Sequence, residues 1–385
     1  MNPLFTNLPT TIFTTMSGLA TEHGAINLGQ GFPDTDGFPE VREAAARALL
    51  ESSNQYAPMQ GLPVLRAAIA AHYGAFQGLD LDWRSEVLVT SGATEAIAAA
   101  LLATVSPGDK VVLIEPMYDA YLPLVRRAGG EPRFVRLKPP AWRLDETELA
   151  AAFADGAKAI VVNTPGNPTT GVLDAEQLAL IAKYCVAHDA VAISDEVWEH
   201  VTFDGRPPVS MMAAPGMRER TIKIGSAGKI FALTGWKVGF VCAAPPLAKP
   251  VAGAHQFLTF ATPPNLQAAA AFGLGLPAEV FDQARARLGA ARDRLANGLR
   301  GEGFDVLPTA GTYFLNVDLG KSGIGMADHA FALQAVREAG VAVIPVSAFY
   351  HADPSTHLMR LCFAKRDETL DRGVEALSKA RRLLA

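Results

Sequence analysis

The chain has 385 residues, 49% of them hydrophobic, and a formal net charge of -5 at neutral pH. That length exceeds what one hydrophobic core usually supports, which predicts two domains, and the charge argues against a nucleic-acid surface. Three scattered cysteines without a CxxC pair argue against a disulfide scaffold, and the eight histidines show no metal-ligand spacing, so no metal site is expected. The N-terminus lacks the pattern of a signal peptide, which predicts a soluble, cytoplasmic protein without membrane or nucleic-acid partners.

Short apolar runs alternate with helix-like segments from about residue 40 to residue 245. The runs are rich in Val and Ile and are predicted to form buried strands at residues 87–90, 110–114, 159–163, 190–194, 221–225 and 238–243. Helices are predicted between several of them, at residues 94–103, 120–128 and 175–187. This alternation indicates an α/β domain with a mainly parallel sheet covered on both faces.

The composition changes after residue 275, where a long helix rich in Arg and Ala is predicted at residues 277–301. Shorter strands at residues 313–317, 341–345 and 359–364 follow, and an amphipathic helix closes the chain. We therefore predict a large domain at residues 41–275 and a smaller α+β domain at residues 276–385. The N-terminal segment, residues 1–40, is expected to pack with the smaller domain.

Small, polar or charged residues directly follow five of the predicted strands, in segments 91–94, 116–119, 165–168, 195–196 and 226–229. In mainly parallel sheets the ligand crevice lies beyond the carboxyl ends of the strands. We therefore expect the five segments to line one site at the same edge of the sheet.

Lys229 and Asp195 are the candidate charged groups of this site. Lys229 stands beside small residues in apolar surroundings, where desolvation can leave its amine uncharged and nucleophilic; for the lysine alone, a solvated loop position is the alternative. Asp195 follows a buried run and needs a charged partner there, for which a protonated pyridine nitrogen is suited. A helix N-cap is the alternative for this aspartate.

Two turns carry weaker signals. Ala93 and Thr94 follow Gly92 at the start of a predicted helix, where small residues let backbone amides approach a phosphate; an ordinary N-cap is the alternative. Asn167 lies in a turn rich in Pro and Gly, and its side chain suits a ring oxygen, although most such turns are structural.

Together these segments resemble the pyridoxal 5'-phosphate (PLP) enzymes of fold type I, aminotransferase class I/II, over nearly the whole chain. Ser-Ala-Gly-Lys at residues 226–229, with Lys237 eight positions later, is similar to the family's cofactor-lysine signature, and residues 163–168 and 194–197 are similar to its other cofactor segments. Segments 26–34, 54–61, 234–239 and 342–347 resemble the subgroup of kynurenine/glutamine and methionine aminotransferases. The resemblance implies a seven-stranded, mainly parallel sheet in the large domain.

The resemblance also implies how the site is built. Lys229 would form the internal aldimine with PLP and move the substrate's proton, while Asp195 would pair with the pyridine nitrogen and Asn167 with the phenolic oxygen. The other implied cofactor contacts are Tyr118 at the ring face and, at the phosphate, Ser226, Lys237, the amides of Ala93 and Thr94, and the partner subunit's Tyr56. The implied substrate contacts are Arg360 as a fork on the carboxylate, the Gly31 amide and Asn167 beside it, and, in the side-chain pocket, Ile12 and the partner subunit's Phe260. The alternatives are a surface ion pair for Arg360 and plain core aromatics for Tyr56 and Tyr118.

The sequence departs from the family at Trp198, where relatives usually place a tyrosine whose hydroxyl donates to the phenolic oxygen. An indole N–H lies at a different position on its side chain, so it does not replace that hydroxyl. We therefore hypothesise that the internal aldimine has a raised pKa in this protein.

The implied activity is transfer of the amino group of a large neutral amino acid, such as methionine, glutamine, phenylalanine or kynurenine, to a 2-oxo acid with ping-pong kinetics. No second arginine that clearly serves a dicarboxylate substrate is found in the sequence. β-Elimination from cysteine S-conjugates at the same site is the alternative reaction, and a PLP-binding regulator without turnover is the alternative from another class. A homodimer with shared active sites is expected from the family.

Overall fold

The computed structural model describes residues 1–6 and 8–384 as an α/β chain with three sheets. Its helices are α1 Pro3–Thr6, α2 Ile12–Glu22, α3 Pro39–Glu51, α4 Pro63–Gln77, α5 Trp83–Glu86, α6 Ala93–Thr104, α7 Tyr121–Arg127, α8 Glu146–Phe153, α9 Ala175–Ala187, α10 Ala227–Ile230, α11 Pro245–Leu258, α12 Pro264–Leu274, α13 Ala278–Gly301, α14 Asp328–Gln334 and α15 Asp367–Leu384. Its strands are β1 Ile26–Asn27, β2 Val87–Thr90, β3 Lys110–Glu115, β4 Glu131–Arg136, β5 Ala159–Asn163, β6 Val191–Asp195, β7 Thr221–Ser226, β8 Gly239–Ala243, β9 Asp305–Val306, β10 Phe314–Asp318, β11 Val341–Ala342, β12 Ile344–Pro345 and β13 Leu358–Cys362.

The largest sheet has seven strands, as the family resemblance implied, and their order is β2-β8-β7-β6-β5-β3-β4. All neighbours pair in parallel except β8, which runs antiparallel between β2 and β7. Strands β2, β7 and β8 are buried along their whole length, which agrees with their mainly apolar sequences, and Lys223 in β7 is their one charged residue. Because β2, β3, β5, β6 and β7 share one direction, their carboxyl ends meet at one edge of the sheet.

Local sequence fixes where several covering helices begin. Helices α3, α4 and α12 each have proline in the first turn, where its missing N–H is not needed. The side chain of Asp145 caps α8, accepting from the amides of Thr147 and Glu148, and that of Asp174 caps α9, accepting from the Gln177 amide. The start of each of these five helices is therefore determined by a residue next to it in the sequence.

The sequence interpretation missed one strand of the large sheet and joined two short strands into one. Strand β4 was not predicted because only Val135 in it is fully buried, so its sequence lacks the continuous apolar run of the central strands. The single strand predicted at residues 341–345 is two short strands that belong to different sheets: β11 pairs with β1, and β12 pairs with β13. An apolar run of five residues does not reveal that the chain changes partners within it.

The C-terminal part contains an antiparallel sheet in the order β12-β13-β10-β9. Strand β1 from the N-terminal segment pairs in parallel with β11, with Ile26 opposite Val341. The N-terminal segment is therefore hydrogen-bonded to the C-terminal part of the chain. No helix in the described residues is both long and apolar enough to cross a membrane.

Candidate active site

A cavity of about 270 Å³ opens at the carboxyl edge of the large sheet. Eleven of the residues predicted from the sequence line it: Gly31, Ala93, Thr94, Tyr118, Asn167, Asp195, Trp198, Ser226, Lys229, Lys237 and Arg360. They come from segments that are up to 329 positions apart in the chain, between Gly31 and Arg360. The predicted convergence of the strand ends therefore occurs at this cavity.

One end of the cavity presents donors suited to an anion. Helix α6 begins at Ala93, and Gly92 before it has a φ of +81°, which favours glycine. A β-carbon built at Gly92 would lie 3.2 Å from Nζ of Lys237, so the ammonium group sits directly against this turn. The hydroxyl of Ser226 lies in the same lining. Helix N-terminal amides, an ammonium and a hydroxyl together match a phosphate group.

Asp195 is the last residue of β6, the central strand of the seven-stranded sheet, and is 5% exposed. Its Oδ2 accepts from the Tyr121 hydroxyl at 2.5 Å, and its Oδ1 accepts from the Val197 amide at 3.4 Å. Its backbone carbonyl accepts from the Asn163 side chain at 3.0 Å. Burial raises the pKa of this carboxyl to about 6, because its neighbours stabilise the charge less than water would. A cation placed against Asp195 would reverse that shift.

Lys229 stands in the short helix α10, directly after β7, and is half-buried. Its Nζ lies 3.2 Å from the Tyr313 hydroxyl and 3.5 Å from the Gly31 carbonyl oxygen, and 4.6 Å from the ring centroid of Trp198. Burial lowers the pKa of its amine to about 8. The structure therefore favours an amine that is half uncharged near pH 8 and has a minor uncharged fraction at pH 7. Because Lys229 lies in a helix and lines a cavity, the solvated-loop alternative does not hold.

Arg360, in β13, is 1% exposed, so it is not part of a surface ion pair. Its guanidinium donates to the Asn167 side-chain oxygen at 2.5 Å and to the Gly29 carbonyl at 3.0 Å. It lies 3.9 Å from the ring centroid of Phe314 and 5.2 Å from that of Phe13. Its buried Nε has no hydrogen-bond partner among the described residues. Burial lowers the pKa of this group to about 10, which marks a cation that still needs an anionic partner.

Behind Asp195 the chain forms a second cluster of buried charges around Lys223. Its Nζ donates to Glu196 Oε2 at 2.6 Å and also to Glu199, and Glu199 accepts from the Tyr73 hydroxyl at 2.5 Å. Glu196 further accepts from the hydroxyl groups of Ser194 and Ser210. Glu196 and Glu199 flank Val197 and Trp198 in sequence, so this cluster fixes the segment that carries both Asp195 and Trp198.

Three of the residues predicted to bind cofactor or substrate do not line the cavity. Ile12 begins α2, and its neighbour Phe13 lines the cavity instead. Tyr56 and Phe260 pack edge to face with centroids 5.7 Å apart, and they are 88% and 41% exposed. The high exposure of Tyr56 does not fit the core-aromatic alternative.

The structure also brings in residues that the sequence interpretation did not single out. Tyr121 binds Asp195, and Asn163 joins the Asp195 carbonyl to the Asn167 amide, which donates to Asn163 Oδ1 at 2.7 Å. Tyr313 contacts Lys229, and Phe314 packs on Arg360. Asn163 carried a usable signal, because it is the last residue of a predicted strand. Tyr121 and Tyr313 carried none beyond their residue type.

The polar groups that line the cavity can be matched to the polar groups of PLP. The phosphate end has amide, hydroxyl and ammonium donors around the Gly92 turn. Asp195 is a buried carboxylate hydrogen-bonded to neutral groups, as a partner for a protonated ring nitrogen should be. Asn167 offers its oxygen to Arg360, which leaves its NH₂ group for an oxygen acceptor in the cavity. The donor set therefore fits the three polar parts of the cofactor.

Comparison with known proteins agrees with this geometry. The family model described as aminotransferase class I and II matches residues 23–377. The solved structure of N-succinyldiaminopimelate aminotransferase from Mycobacterium tuberculosis has a TM-score of 0.95 and 44% sequence identity, covering 100% of both chains. The methionine aminotransferase of Escherichia coli is 40% identical over 96% of each chain. The human kynurenine–oxoglutarate transaminase 1 is 37% identical over 94% of this chain and 93% of its own. With a family match over most of its length, the chain belongs to the class I and II aminotransferases and is a PLP-dependent transaminase.

Proposed function

We propose that this aminotransferase takes the amino group from a large neutral amino acid and passes it to a 2-oxo acid by a ping-pong mechanism through Lys229. One observation carries the substrate class: Arg360 projects into the cavity among Phe13, Phe314 and Phe349, with its guanidinium 3.9–5.3 Å from their ring centroids. A carboxylate bound to this arginine would have apolar rings beside it. A substrate with an apolar side chain suits those surroundings better than one with a second charge.

The residues that would hold the cofactor follow from the donors of the cavity. Ser226, Lys237 and the amides of Ala93 and Thr94 would bind the phosphate, and Tyr118 would cover the ring. Asp195 would hold the positive charge of the ring nitrogen, and Asn167 would donate to the ring oxygen. When bound, PLP supplies an electron sink that makes the Cα proton of the attached amino acid acidic.

Lys229 would move the proton. Its amine has a pKa lowered to about 8 by burial, so an uncharged form is available to take the Cα proton near neutral pH. Arg360 and the Gly31 amide would orient the substrate by its carboxylate. Because the same groups serve the amino donor and then the 2-oxo acid, we expect parallel lines in double-reciprocal plots.

The side-chain pocket defines which donors to test. Besides Arg360, the cationic side chains in the described lining are Lys229 and Lys237, and both have the other roles proposed above. No cationic side chain in the described lining is thus left to bind a second carboxylate. This favours methionine, phenylalanine, glutamine or kynurenine over aspartate or glutamate as the preferred donor.

The experiment is a donor screen with the PLP-loaded protein, using 2-oxo acid formation as the readout. Methionine and phenylalanine should exceed aspartate in kcat/KM by at least about 100-fold, since a carboxylate buried without a partner costs several kcal/mol. Turnover confined to aspartate or to N-succinyldiaminopimelate would contradict the proposed substrate class. Absorbance before and after methionine addition, without an acceptor, reports the first half-reaction separately.

Product analysis separates transamination from the alternative reaction at the same site. With a cysteine S-conjugate as the only substrate, β-elimination breaks the Cβ–S bond and, with water, gives a thiol, pyruvate and ammonia. Transamination leaves that bond intact, gives the corresponding 2-oxo acid and needs an acceptor. Ammonia release that matches substrate consumption would identify a lyase.

A further inference from the structure

Tyr313 contacts Lys229 but is not among the residues that line the cavity. It directly precedes β10, is 2% exposed, and packs edge to face against Trp198 with centroids 4.2 Å apart. Its hydroxyl lies 2.5 Å from the Gly31 carbonyl oxygen and 3.2 Å from Lys229 Nζ. Three segments far apart in sequence, at residues 31, 229 and 313, therefore meet at one hydroxyl group.

The directions of these hydrogen bonds are determined by chemistry. The Gly31 oxygen can only accept, so the single proton of the Tyr313 hydroxyl is used there. The Tyr313 oxygen then has only lone pairs to offer Lys229, and the amine must be the donor. Burial raises the pKa of Tyr313 well above 10, so the hydroxyl stays neutral and keeps this arrangement.

An uncharged amine has two N–H bonds and one lone pair. In the structure the two acceptors in reach are the Tyr313 oxygen at 3.2 Å and, more weakly, the Gly31 oxygen at 3.5 Å. An amine that donates to this pair has its lone pair turned away from them. Because Lys229 also lines the cavity, the lone pair is left for a proton or carbon within it.

We infer that Tyr313 is a positioning residue for Lys229, which holds the free amine through its hydroxyl oxygen so that the lone pair of the amine faces the substrate. This inference rests on the proposed role of Lys229 as the group that moves the Cα proton. Tyr313 itself neither gives nor takes a proton in this role. Its ring contacts with Trp198 and Phe314 are packing contacts that phenylalanine can also make.

The first test uses the protein without PLP, so that Lys229 is free. The apoprotein is labelled with trace acetic anhydride between pH 6 and pH 11, and acetylation of the peptide that contains Lys229 is measured by mass spectrometry. In Tyr313→Phe the titration midpoint of Lys229 should fall by about one unit, because an acceptor that stabilises the ammonium form is lost. An unchanged midpoint would overturn the inference.

The second test uses the PLP-loaded enzyme with methionine carrying hydrogen or deuterium at Cα. Tyr313→Phe should lower kcat about 10-fold at nearly unchanged KM, and the deuterium isotope effect should rise because proton transfer becomes slower than other steps. A lower kcat with an unchanged isotope effect would indicate a general structural defect and would contradict the inference.

Tyr184→Phe is the matched control, since it removes a hydroxyl that lies at the surface, 3.4 Å from Glu146. It should change neither the Lys229 midpoint nor the isotope effect. The two tests also separate this inference from the proposed function. A wild-type enzyme that does not respond to any amino acid would disprove the proposed role of Lys229, whereas the labelling result still shows whether Tyr313 holds its amine.

Discussion

The segment at residues 195–199 contributes to two groups of buried charges, and the hydrogen bonds of these two groups are formed in different ways. Around Lys223, an ammonium and the carboxylates of Glu196 and Glu199 bind each other directly. In the cavity, the side chains of Asp195, Lys229 and Arg360 form their hydrogen bonds with neutral groups, namely hydroxyls, amides and carbonyls. The charges of the first group neutralise each other, whereas those of the second can still pair with a charged ligand.

The pKa values of the buried cations also differ between the two groups. Burial on its own would lower the pKa of Lys223, but the two carboxylates outweigh it and raise that pKa above its usual value. No such compensation protects Lys229 or Arg360, whose pKa values fall to about 8 and about 10. Charges paired inside the protein therefore support the fold, whereas charges without an ionic partner are available to ligands.

Removing the amine in the cavity should have the largest effect on catalysis. Lys229→Ala should lower kcat/KM for transamination at least about 10³-fold, because both the cofactor linkage and the proton carrier are lost. Steady-state kinetics measure this, with Lys249→Ala at an exposed position of α11 as the control. Activity within tenfold of the wild type would rule out the proposed role of Lys229.

Removing the amine in the closed cluster should affect stability instead. Lys223→Met leaves Glu196 and Glu199 buried without a cation and should lower the free energy of unfolding by about 3–5 kcal/mol. Urea unfolding of the apoprotein measures this, with Lys249→Met as the matched control. A loss below about 1 kcal/mol would mean that the cluster does not stabilise the fold.

Arg360→Met should separate the two kinds of charge most clearly. Loss of the charge-assisted hydrogen bonds to the substrate carboxylate, worth about 1.5–3 kcal/mol, should lower kcat/KM for methionine roughly 10- to 150-fold. The unfolding free energy should change by less than about 1 kcal/mol, because a buried cation without an ionic partner is removed. Arg360→Lys keeps the charge without the planar fork and should give an intermediate rate. Destabilisation as large as in Lys223→Met would contradict the comparison.

The smallest effect is expected at Trp198, between the two groups. Trp198→Tyr would place a hydroxyl where relatives have one. It should lower the pKa of the internal aldimine by about one unit, which corresponds to the free energy of one hydrogen bond. A spectrophotometric pH titration of the PLP-loaded protein measures it. An unchanged pKa would show that the missing hydroxyl has no influence on the cofactor.

Much of the site could be predicted because motif and fold agree. The strands that end at Asp195 and Ser226 are mainly apolar, and the residues at and after their ends belong to motifs that occur in the same order in the family. Parallel strands then bring those segments to one edge without further information. Lys223 also had a readable signal, since it is a lysine within a fully buried strand, but its partners depend on how residues 196–199 turn after β6.

The contacts that could not be predicted depend on tertiary packing across domains. Tyr313 and Gly31 are 282 positions apart, and their hydrogen bond requires the N-terminal segment to lie against the C-terminal part of the chain. Phe13 rather than Ile12 faces Arg360 because of the rotation of α2, which adjacent apolar residues do not reveal. Strand β4 was missed for a local reason rather than a tertiary one. It is mostly half-buried, so its sequence lacks a clear hydrophobic pattern.

The contact between Gly239 and the turn at Gly92 restricts which substitutions this enzyme can accept. A β-carbon at position 239 would lie 2.5 Å from the carbonyl carbon of Gly92 and 2.7 Å from the nitrogen of Ala93. Both are backbone atoms, so no side-chain rotation relieves the overlap. In a library selected for new amino donors, substitutions should therefore accumulate around Phe13, while position 239 keeps glycine in every active clone.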